Sequence, residues 1–183
     1  MKLRTILLFG SPGAGKGTQG NILGSIPTYL HVSSGDLFRN LRVQNPQGQT
    51  FLDYAGKGQL VPDEPTIKLW HDDIEKRIHN GIFNPETDTL LLDGLPRNAA
   101  QAQLLDDTLN VVGVLNLFCK DRDIMVERLQ ARALRENRLE VYEAETRPVL
   151  EHYANDLVHT IDSTQTPVRV LRDVLAVLAN LET

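Results

Sequence analysis

One segment near the start of the chain constrains the fold more than any other. Residues 10–18 read Gly-Ser-Pro-Gly-Ala-Gly-Lys-Gly-Thr, directly after the short apolar run Thr5 to Phe9. The segment contains the pattern G-x-x-x-x-G-K, in which glycines let successive backbone N–H groups face one anion and the lysine adds a full positive charge. A helix that starts there adds the positive end of its dipole. The sequence therefore predicts a strand, an anion-binding loop and a helix, in that order.

Short apolar runs alternate with longer amphipathic segments along the chain, and this βαβα pattern predicts an α/β fold. Several runs are apolar at nearly every position, as strands buried on both faces of a parallel sheet must be. The predicted strands are Thr5 to Phe9, Leu30 to Ser33, Thr89 to Leu92, Val111 to Phe118 and Val158 to Ile161. The predicted helices are about Lys16 to Leu23, Asp36 to Val43, Gln49 to Lys57, Glu64 to Asn80, Arg97 to Asp107, Asp121 to Arg135, Glu140 to Asp156 and Pro167 to Leu181.

Composition limits the class of protein. With 183 residues, 41% of them hydrophobic and 23% charged, the chain has the size and balance of one soluble domain. Its net charge of −5 repels nucleic acid and anionic lipid, so an anionic ligand must meet a local cationic site. The apolar run that starts at Ile6 ends at Gly10, which is too short for a membrane span or a secretory signal. The single cysteine, Cys119, closes no disulfide, and we expect a cytoplasmic protein without nucleic-acid or membrane partners.

The loop and several later segments resemble one family. Residues 10–19 read Gly-x-Pro-Gly-x-Gly-Lys-Gly-Thr-Gln and closely resemble the phosphate loop of adenylate kinases, with the hydroxyl residue one position later than in the generic motif. The resemblance continues, in order and spacing, from Leu3 to Leu181. The further segments are His31-Val-Ser-Ser-Gly-Asp-Leu-Phe-Arg39, Gly58-Gln-Leu-Val-Pro-Asp-Glu64, Leu92-Asp-Gly-Leu-Pro-Arg97 with Gln101, Arg128-x-x-x-Arg132, Arg138-Leu-Glu-x-Tyr142 and Val158-His-Thr-Ile-Asp162.

The resemblance implies a fold and a reaction. The fold is that of a phosphate-loop kinase, a doubly wound five-stranded parallel sheet flanked by helices, in one domain of residues 1–183. A small helical insertion at about residues 35–67 would bind the acceptor nucleotide. The implied reaction is reversible, magnesium-dependent phosphoryl transfer from ATP to AMP, giving two ADP. ATP and AMP are then the partners and Mg²⁺ enters with ATP, without zinc. We expect a monomer.

The chemistry of the implied reaction calls for positive charge around the phosphoryl group in flight, and arginine supplies it at any working pH. Carried over by motif, Arg39 and Arg97 would hold the acceptor phosphate, and Arg132 and Arg138 would close on the transferring group. The implied catalytic set is Lys16, Asp93, Arg97, Arg132 and Arg138.

Magnesium is the expected charge partner of Asp93, which ends a buried strand at the edge where open α/β sheets bind ligands. Since magnesium keeps several waters, Asp93, helped by Asp36, would hold it through water. No histidine is needed as a base, because the acceptor is already an anionic oxygen. The histidines show no metal-ligand spacing, and we expect them to be structural or exposed. They are His31, His71, His79, His152 and His159.

The nucleotide-binding residues are also carried over by motif. Gln101 matches the glutamine with which adenylate kinases read the adenine edge, whereas Asn98 resembles the pyrimidine monophosphate kinases, which remain an alternative. The implied ATP-binding residues are Gly13, Ala14, Gly15, Lys16, Gly17, Thr18 and Arg128. The implied AMP-binding residues are Ser34, Gly35, Arg39, Gln59, Leu60, Val61, Gly94, Arg97 and Gln101.

The chain departs from the family pattern at the lid. Only residues 133–137 separate Arg132 from Arg138, where even short-lid adenylate kinases have a longer loop with another arginine. Five residues make a turn and not a separate flap, so we expect a minimal lid, and the position of Arg135 would let it supply some of the missing charge. Two other functions stay open: a nucleotide-binding regulatory or assembly protein with weak transfer, and a phosphate-loop kinase for another hydroxyl-bearing acceptor.

Overall fold

A computed structural model describes residues 1–41, 54, 61–130 and 137–182, without the side chains of residues 122, 129, 130, 137 and 138. Its strands are β1 (Leu3–Gly10), β2 (Tyr29–Ser33), β3 (Thr89–Asp93), β4 (Leu109–Phe118) and β5 (Val158–Asp162). Its α-helices are α1 (Lys16–Leu23), α2 (Ser34–Asn40), α3 (Asp63–His79), α4 (Ala99–Leu105), α5 (Arg122–Gln130), α6 (Asn137–Val141) and α7 (Pro167–Leu181).

The strands form one parallel sheet in the order β2-β3-β1-β4-β5. This order confirms the predicted five-stranded α/β fold, and every strand lies within two residues of its predicted bounds. Helices α1 and α7 begin and end where the sequence predicts. The predicted helix Gln49 to Lys57 lies outside the described residues except for Tyr54, which is helical.

The sheet is covered on both faces, as the nearly continuous apolar character of several of its strands predicts. On β1, Leu7 and Phe9 point to one face and Ile6 and Leu8 to the other. The first face packs against α3, α4 and the segment 147–152, and the second packs against α1 and α7. The two faces leave the carboxyl edge of the sheet for the loops that carry the candidate site.

The predicted helix Glu140 to Asp156 is wrong. After α6 the chain forms a π-helical turn, Tyr142–Thr146, then a 3₁₀ helix, Arg147–His152, and after a break a second 3₁₀ turn, Asn155–Leu157. Pro148 has no N–H to donate to the carbonyl four residues earlier, and its ring collides with that carbonyl in an α-helix. The apolar periodicity continues through this segment because Val149 and Leu150 still pack on the sheet.

Candidate active site

Among the described residues, the predicted site residues at the ends of β1, β2 and β3 lie at the carboxyl edge of the sheet. Leu8 on β1 and Ser33 on β2 are both in register with Asp93, the last residue of β3. Gly10, at the end of β1, is in register with Leu117 on β4. The loops that follow these strands therefore start side by side, at the edge where ligands of open α/β folds bind.

The loop after β1 has the backbone that its glycines predict. Gly10, Gly13 and Gly15 have φ angles of 140°, 89° and 100°, which other residues rarely adopt. At Gly10 a Cβ would also lie 2.5 Å from the carbonyl oxygen of Leu117. Gly15 is the N-cap of α1, so the positive end of that helix faces into the loop.

Lys16 places its charge inside this loop. Its Nζ donates to the carbonyl oxygens of Gly10, at 2.5 Å, and of Ser11, at 3.2 Å. The backbone N–H of Ala14 donates to the same Ser11 carbonyl, at 3.0 Å. These contacts hold the ammonium at the mouth of the loop, where a bound phosphate would meet it.

Asp93 is a buried carboxylate, 7% exposed, beside this cation. Burial, the largest influence, raises its pKa, but the neighbouring His31 imidazole, Lys16 ammonium and Arg97 guanidinium outweigh it, so the pKa lies below the ordinary aspartate value. Asp93 is therefore ionised at neutral pH, and the site holds a negative charge between cations.

His31 lies against Asp93, and the sequence alone did not place it there. Its Nε2 is 3.9 Å from Asp93 Oδ2, too long for a hydrogen bond, and Nδ1 is 3.2 Å from Asn21 Oδ1. A Cβ at Gly20 would collide with the imidazole of His31, and a Cβ at Gly24 would lie 2.6 Å from the His31 Cβ. The only sequence signal for this packing is the four-residue spacing of two glycines on one face of α1.

The acceptor residues form a connected group between β2 and β3. Arg97 Nε donates to the Gly94 carbonyl, at 2.7 Å, and Arg97 Nη2 donates to Ser34 Oγ, at 3.2 Å. Ser34 Oγ donates to the same Gly94 carbonyl, at 2.8 Å. Gly94 has a φ of 78°, and a Cβ there would lie 2.7 Å from Ser34 Oγ. The loop after β3 thus needs glycine in order to hold the guanidinium of Arg97.

Arg39 and Asp36 pair with each other on the exposed face of α2, at 2.5 Å between Nη2 and Oδ1. Gly35 lies under the Arg39 guanidinium, where a Cβ would be 3.1 Å from Nη1. The cap of this helix is Ser33, whose Oγ accepts from the Asp36 N–H at 3.4 Å. Asp36 therefore has its carboxylate directed to Arg39, and its help to a magnesium ion stays a prediction.

Gln101 is buried, 1% exposed, and both ends of its amide are engaged. Nε2 donates to Asp63 Oδ1 at 2.7 Å, and Oε1 accepts from the backbone N–H of Arg97 at 2.8 Å. Asn98 is the N-cap of α4: its Oδ1 accepts from the Gln101 N–H and its Nδ2 donates to Asp63, each at 2.8 Å. The sequence did not predict Asp63 as part of the site.

The predicted donor residue Arg128, on α5, donates from Nη1 to the carbonyl oxygen of Ser163, just after β5, at 3.0 Å. A cavity open to solvent lies beside the phosphate loop, between Ser11 and the end of β4. Arg147 lines this cavity and pairs with Glu143 at 2.7 Å. Arg147 is a cation near the loop that the motifs did not indicate.

Several predicted residues lie outside the described residues or have undescribed side chains. Gln59, Leu60, Arg132 and Arg135 lie outside, and only the backbone of Arg138 is described, in α6. Val61 is described and buried. Within the described parts of the chain, no helix is long and apolar enough to cross a membrane.

This fold and this edge are those of a nucleotide kinase built on a phosphate loop. The family model for adenylate kinase matches residues 8–158. An adenylate kinase of a Cyanothece species is 38% identical over 178 residues, which cover 87% of each chain. The chain belongs to the adenylate kinase family and is a nucleoside monophosphate kinase, a phosphotransferase.

Two further relatives align with nearly the whole chain, and one of them is longer within the aligned region. The adenylate kinases of a Thermoanaerobacter species and of Flavobacterium psychrophilum are 34% and 33% identical, and each alignment covers 96% of this chain and 98% of the relative. The first alignment runs over 221 positions and uses about 176 of the 183 residues of this chain, so about 45 positions have no counterpart here. The chain is therefore shorter than this relative within the aligned region.

Proposed function

We propose that the protein catalyses reversible transfer of the γ-phosphoryl group of ATP to AMP, with magnesium, giving two ADP. The observation that carries the proposal is the convergence of Lys16, Asp93 and Arg97 at one sheet edge, close enough for both cations to lower the pKa of the carboxylate. Two cations from two neighbouring loops suit two phosphate groups that must approach each other. The family of the chain supports the same reaction.

In this proposal the residues have separate tasks. Lys16 and the loop N–H groups bind the outer phosphates of ATP, and Arg128 lies at the donor base. Arg97 binds the AMP phosphate, its guanidinium being aimed by Ser34 and Gly94. Arg39 lies on the insertion proposed at about residues 35–67. When AMP binds, Arg39 leaves its ion pair with Asp36 and contacts the AMP phosphate instead. Because Lys16 and Arg97 are positioned before the substrates bind, they need little reorganisation during transfer.

The residues present fit a magnesium ion held through water. Asp93 is ionised and presents oxygen, and one carboxylate suits a cation that keeps most of its waters. Among the described residues no three His, Cys, Asp or Glu side chains gather into a direct metal site. Asp93, with Asp36, would hold the ion's waters. When bound, magnesium would neutralise charge on the phosphate oxygens.

AMP is the acceptor that the contacts favour. Gln101 is the residue carried over as the adenine reader, and it lies directly beside Arg97. Asn98, the one feature that resembles pyrimidine monophosphate kinases, uses its Oδ1 and its Nδ2 in the cap of α4 and in the contact to Asp63. Its side chain caps α4, a task that does not depend on the acceptor base, so Asn98 alone does not argue for a pyrimidine nucleotide.

An acceptor panel tests the proposed function. Purified protein with magnesium and ATP is offered AMP, CMP, UMP and GMP in a coupled assay, with and without a chelator. We expect transfer to AMP above the others and its loss with the chelator. If the protein binds ATP but transfers to no monophosphate, the regulatory alternative replaces the proposal.

Gln101→Ala is expected to lower kcat/KM for AMP by about 2- to 12-fold for each hydrogen bond that the acceptor base loses, because one such bond contributes about 0.5–1.5 kcal/mol. The affinity for ATP should stay unchanged. Steady-state kinetics with each nucleotide varied in turn measures both. Gln103→Ala, an exposed position on the same helix, is the control. Equal losses for ATP and AMP would place Gln101 on the wrong side of the site.

The proposed minimal lid, residues 133–137, should seal the γ-phosphate less completely than a full lid does. ATP hydrolysis without AMP should therefore be a larger fraction of turnover than in a full-lid adenylate kinase assayed in parallel. A longer loop grafted between Arg132 and Arg138 should reduce this fraction. An equal fraction at all protein concentrations would contradict the open site, and a fraction that falls with concentration would show that a second copy covers it.

A further inference from the structure

The amide of Gln101 is held from both ends, and the two partners are of opposite kinds. The Asp63 carboxylate at Nε2 can only accept, and the Arg97 backbone N–H at Oε1 can only donate. A reversed amide would set its oxygen against the carboxylate and its NH₂ against the N–H. Because Gln101 is 1% exposed, water does not compensate for such a mismatch. The amide therefore has one orientation.

Asp63 is itself fixed in place. The same Oδ1 that accepts from Gln101 also accepts from Asn98 Nδ2, at 2.8 Å. Asn98 in turn accepts from the Gln101 N–H as the cap of α4. Asp63 is the first residue of α3, whereas Gln101 and Asn98 belong to the start of α4. These bonds connect the end of the proposed acceptor insertion to the residue carried over as its base reader.

The fixed orientation leaves the amide one N–H and one oxygen lone pair, in a set order. Adenine presents an amino group and then a ring acceptor, which match the Oε1 and the Nε2 of this amide. Guanine presents a carbonyl oxygen and then a ring N–H, which oppose the same two atoms. Since Gln101 is buried, a base contacts it only after a neighbouring group moves aside, and the orientation is set before that contact.

We propose that Asp63 is a specificity-determining positioning residue, which orients Gln101 so that the acceptor site takes 6-amino purines and rejects 6-oxo purines. The inference rests on the proposed function, because it takes AMP as the acceptor and Gln101 as its reader. It goes beyond that function by assigning the choice between the bases to a carboxylate that does not itself touch the base.

Three variants test the inference. Asp63→Leu removes the hydrogen-bond acceptor with a side chain of similar size. Asp63→Asn keeps an oxygen that can accept from the amides of Gln101 and Asn98. Asp72→Leu is the control, because it makes the same change on the surface of α3, where Asp72 pairs with Lys68. Isothermal titration calorimetry measures the affinities for AMP and GMP, and the coupled assay measures kcat/KM for both. Asp63→Ala serves if the leucine variant does not fold.

The AMP-to-GMP preference should fall by about 10-fold in Asp63→Leu, the lower end of what a hydrogen bond to a charged group contributes. It should stay within about threefold of the unmodified protein in Asp63→Asn, because the acceptor oxygen remains. Asp72→Leu should not change it. An unchanged preference in Asp63→Leu, or an equal loss in Asp63→Asn, overturns the inference. If the unmodified protein transfers to no monophosphate while the binding preferences change as expected, the proposed function fails and the role of Asp63 stands.

Discussion

Lys16→Met is expected to lower kcat/KM for the transfer from ATP to AMP by about 10³-fold or more. The ammonium lies in the phosphate loop, bonded to the Gly10 and Ser11 carbonyls, and it is the full positive charge there that meets the group in flight. Removing one preorganised group that stabilises developing charge costs about 10²- to 10³-fold, and loss of a cation on a phosphoryl group costs about 10³- to 10⁵-fold. Methionine keeps the length of the side chain, so the loop should keep its shape.

Lys68→Met is the control for this variant, because Lys68 is an exposed lysine on α3 that pairs with Asp72. Steady-state kinetics, with circular dichroism to verify folding, compares the two. A loss of less than about tenfold in a folded Lys16→Met protein would show that the reacting phosphates do not lie at this loop.

Arg97→Met is expected to lower kcat/KM by about 10²- to 10³-fold. Hydrogen bonds to the Gly94 carbonyl and to Ser34 Oγ fix the orientation of the guanidinium, so its positive charge stays at the acceptor side of the proposed site. Since Arg97 is proposed to bind the acceptor phosphate, this loss should appear in kcat/KM measured with AMP as the varied nucleotide. The affinity for ATP should change little.

Arg77→Met is the matched control, since Arg77 is paired with Asp73 on α3, away from the sheet edge. Calorimetry with ATP and kinetics with AMP separate the two nucleotides. If Arg97→Met weakens ATP binding as much as AMP use, Arg97 serves the donor and the assignment of the two sides is wrong.

The sequence predicted the sheet well because its signals are local. Several strands are nearly continuous apolar runs, and Lys16–Leu23 and Pro167–Leu181 are bounded by a glycine loop and by a proline, both of which act on their immediate neighbours. The helix prediction for residues 140–156 was wrong because it also relied on a local signal. Its apolar spacing indicates a helix, but Pro148 interrupts the backbone bonds that the spacing does not report.

For the candidate site, the sequence predicted a set of residues whose roles stay predictions, and it predicted their arrangement only in part. Lys16, Asp93 and Arg97 lie at one edge because each is at or after the carboxyl end of a strand of one parallel sheet. The bond between Gln101 and Asp63 joins residues 38 positions apart on two helices, and no local pattern encodes it. The contact of His31 with Asp93 depends likewise on the space that Gly20 and Gly24 leave, which the packing of α1 determines.

The central claim is that the γ-phosphoryl group passes directly to AMP at this edge of the sheet. The most direct test supplies purified protein with magnesium, ATP labelled in its γ-phosphate, and unlabelled AMP, and follows the label by chromatography. We expect one labelled ADP, formed from AMP, and one unlabelled ADP, formed from ATP, per turnover. With Lys16→Met we expect no labelled ADP. Label released only as inorganic phosphate, or retained in ATP while ATP binds, would contradict the account.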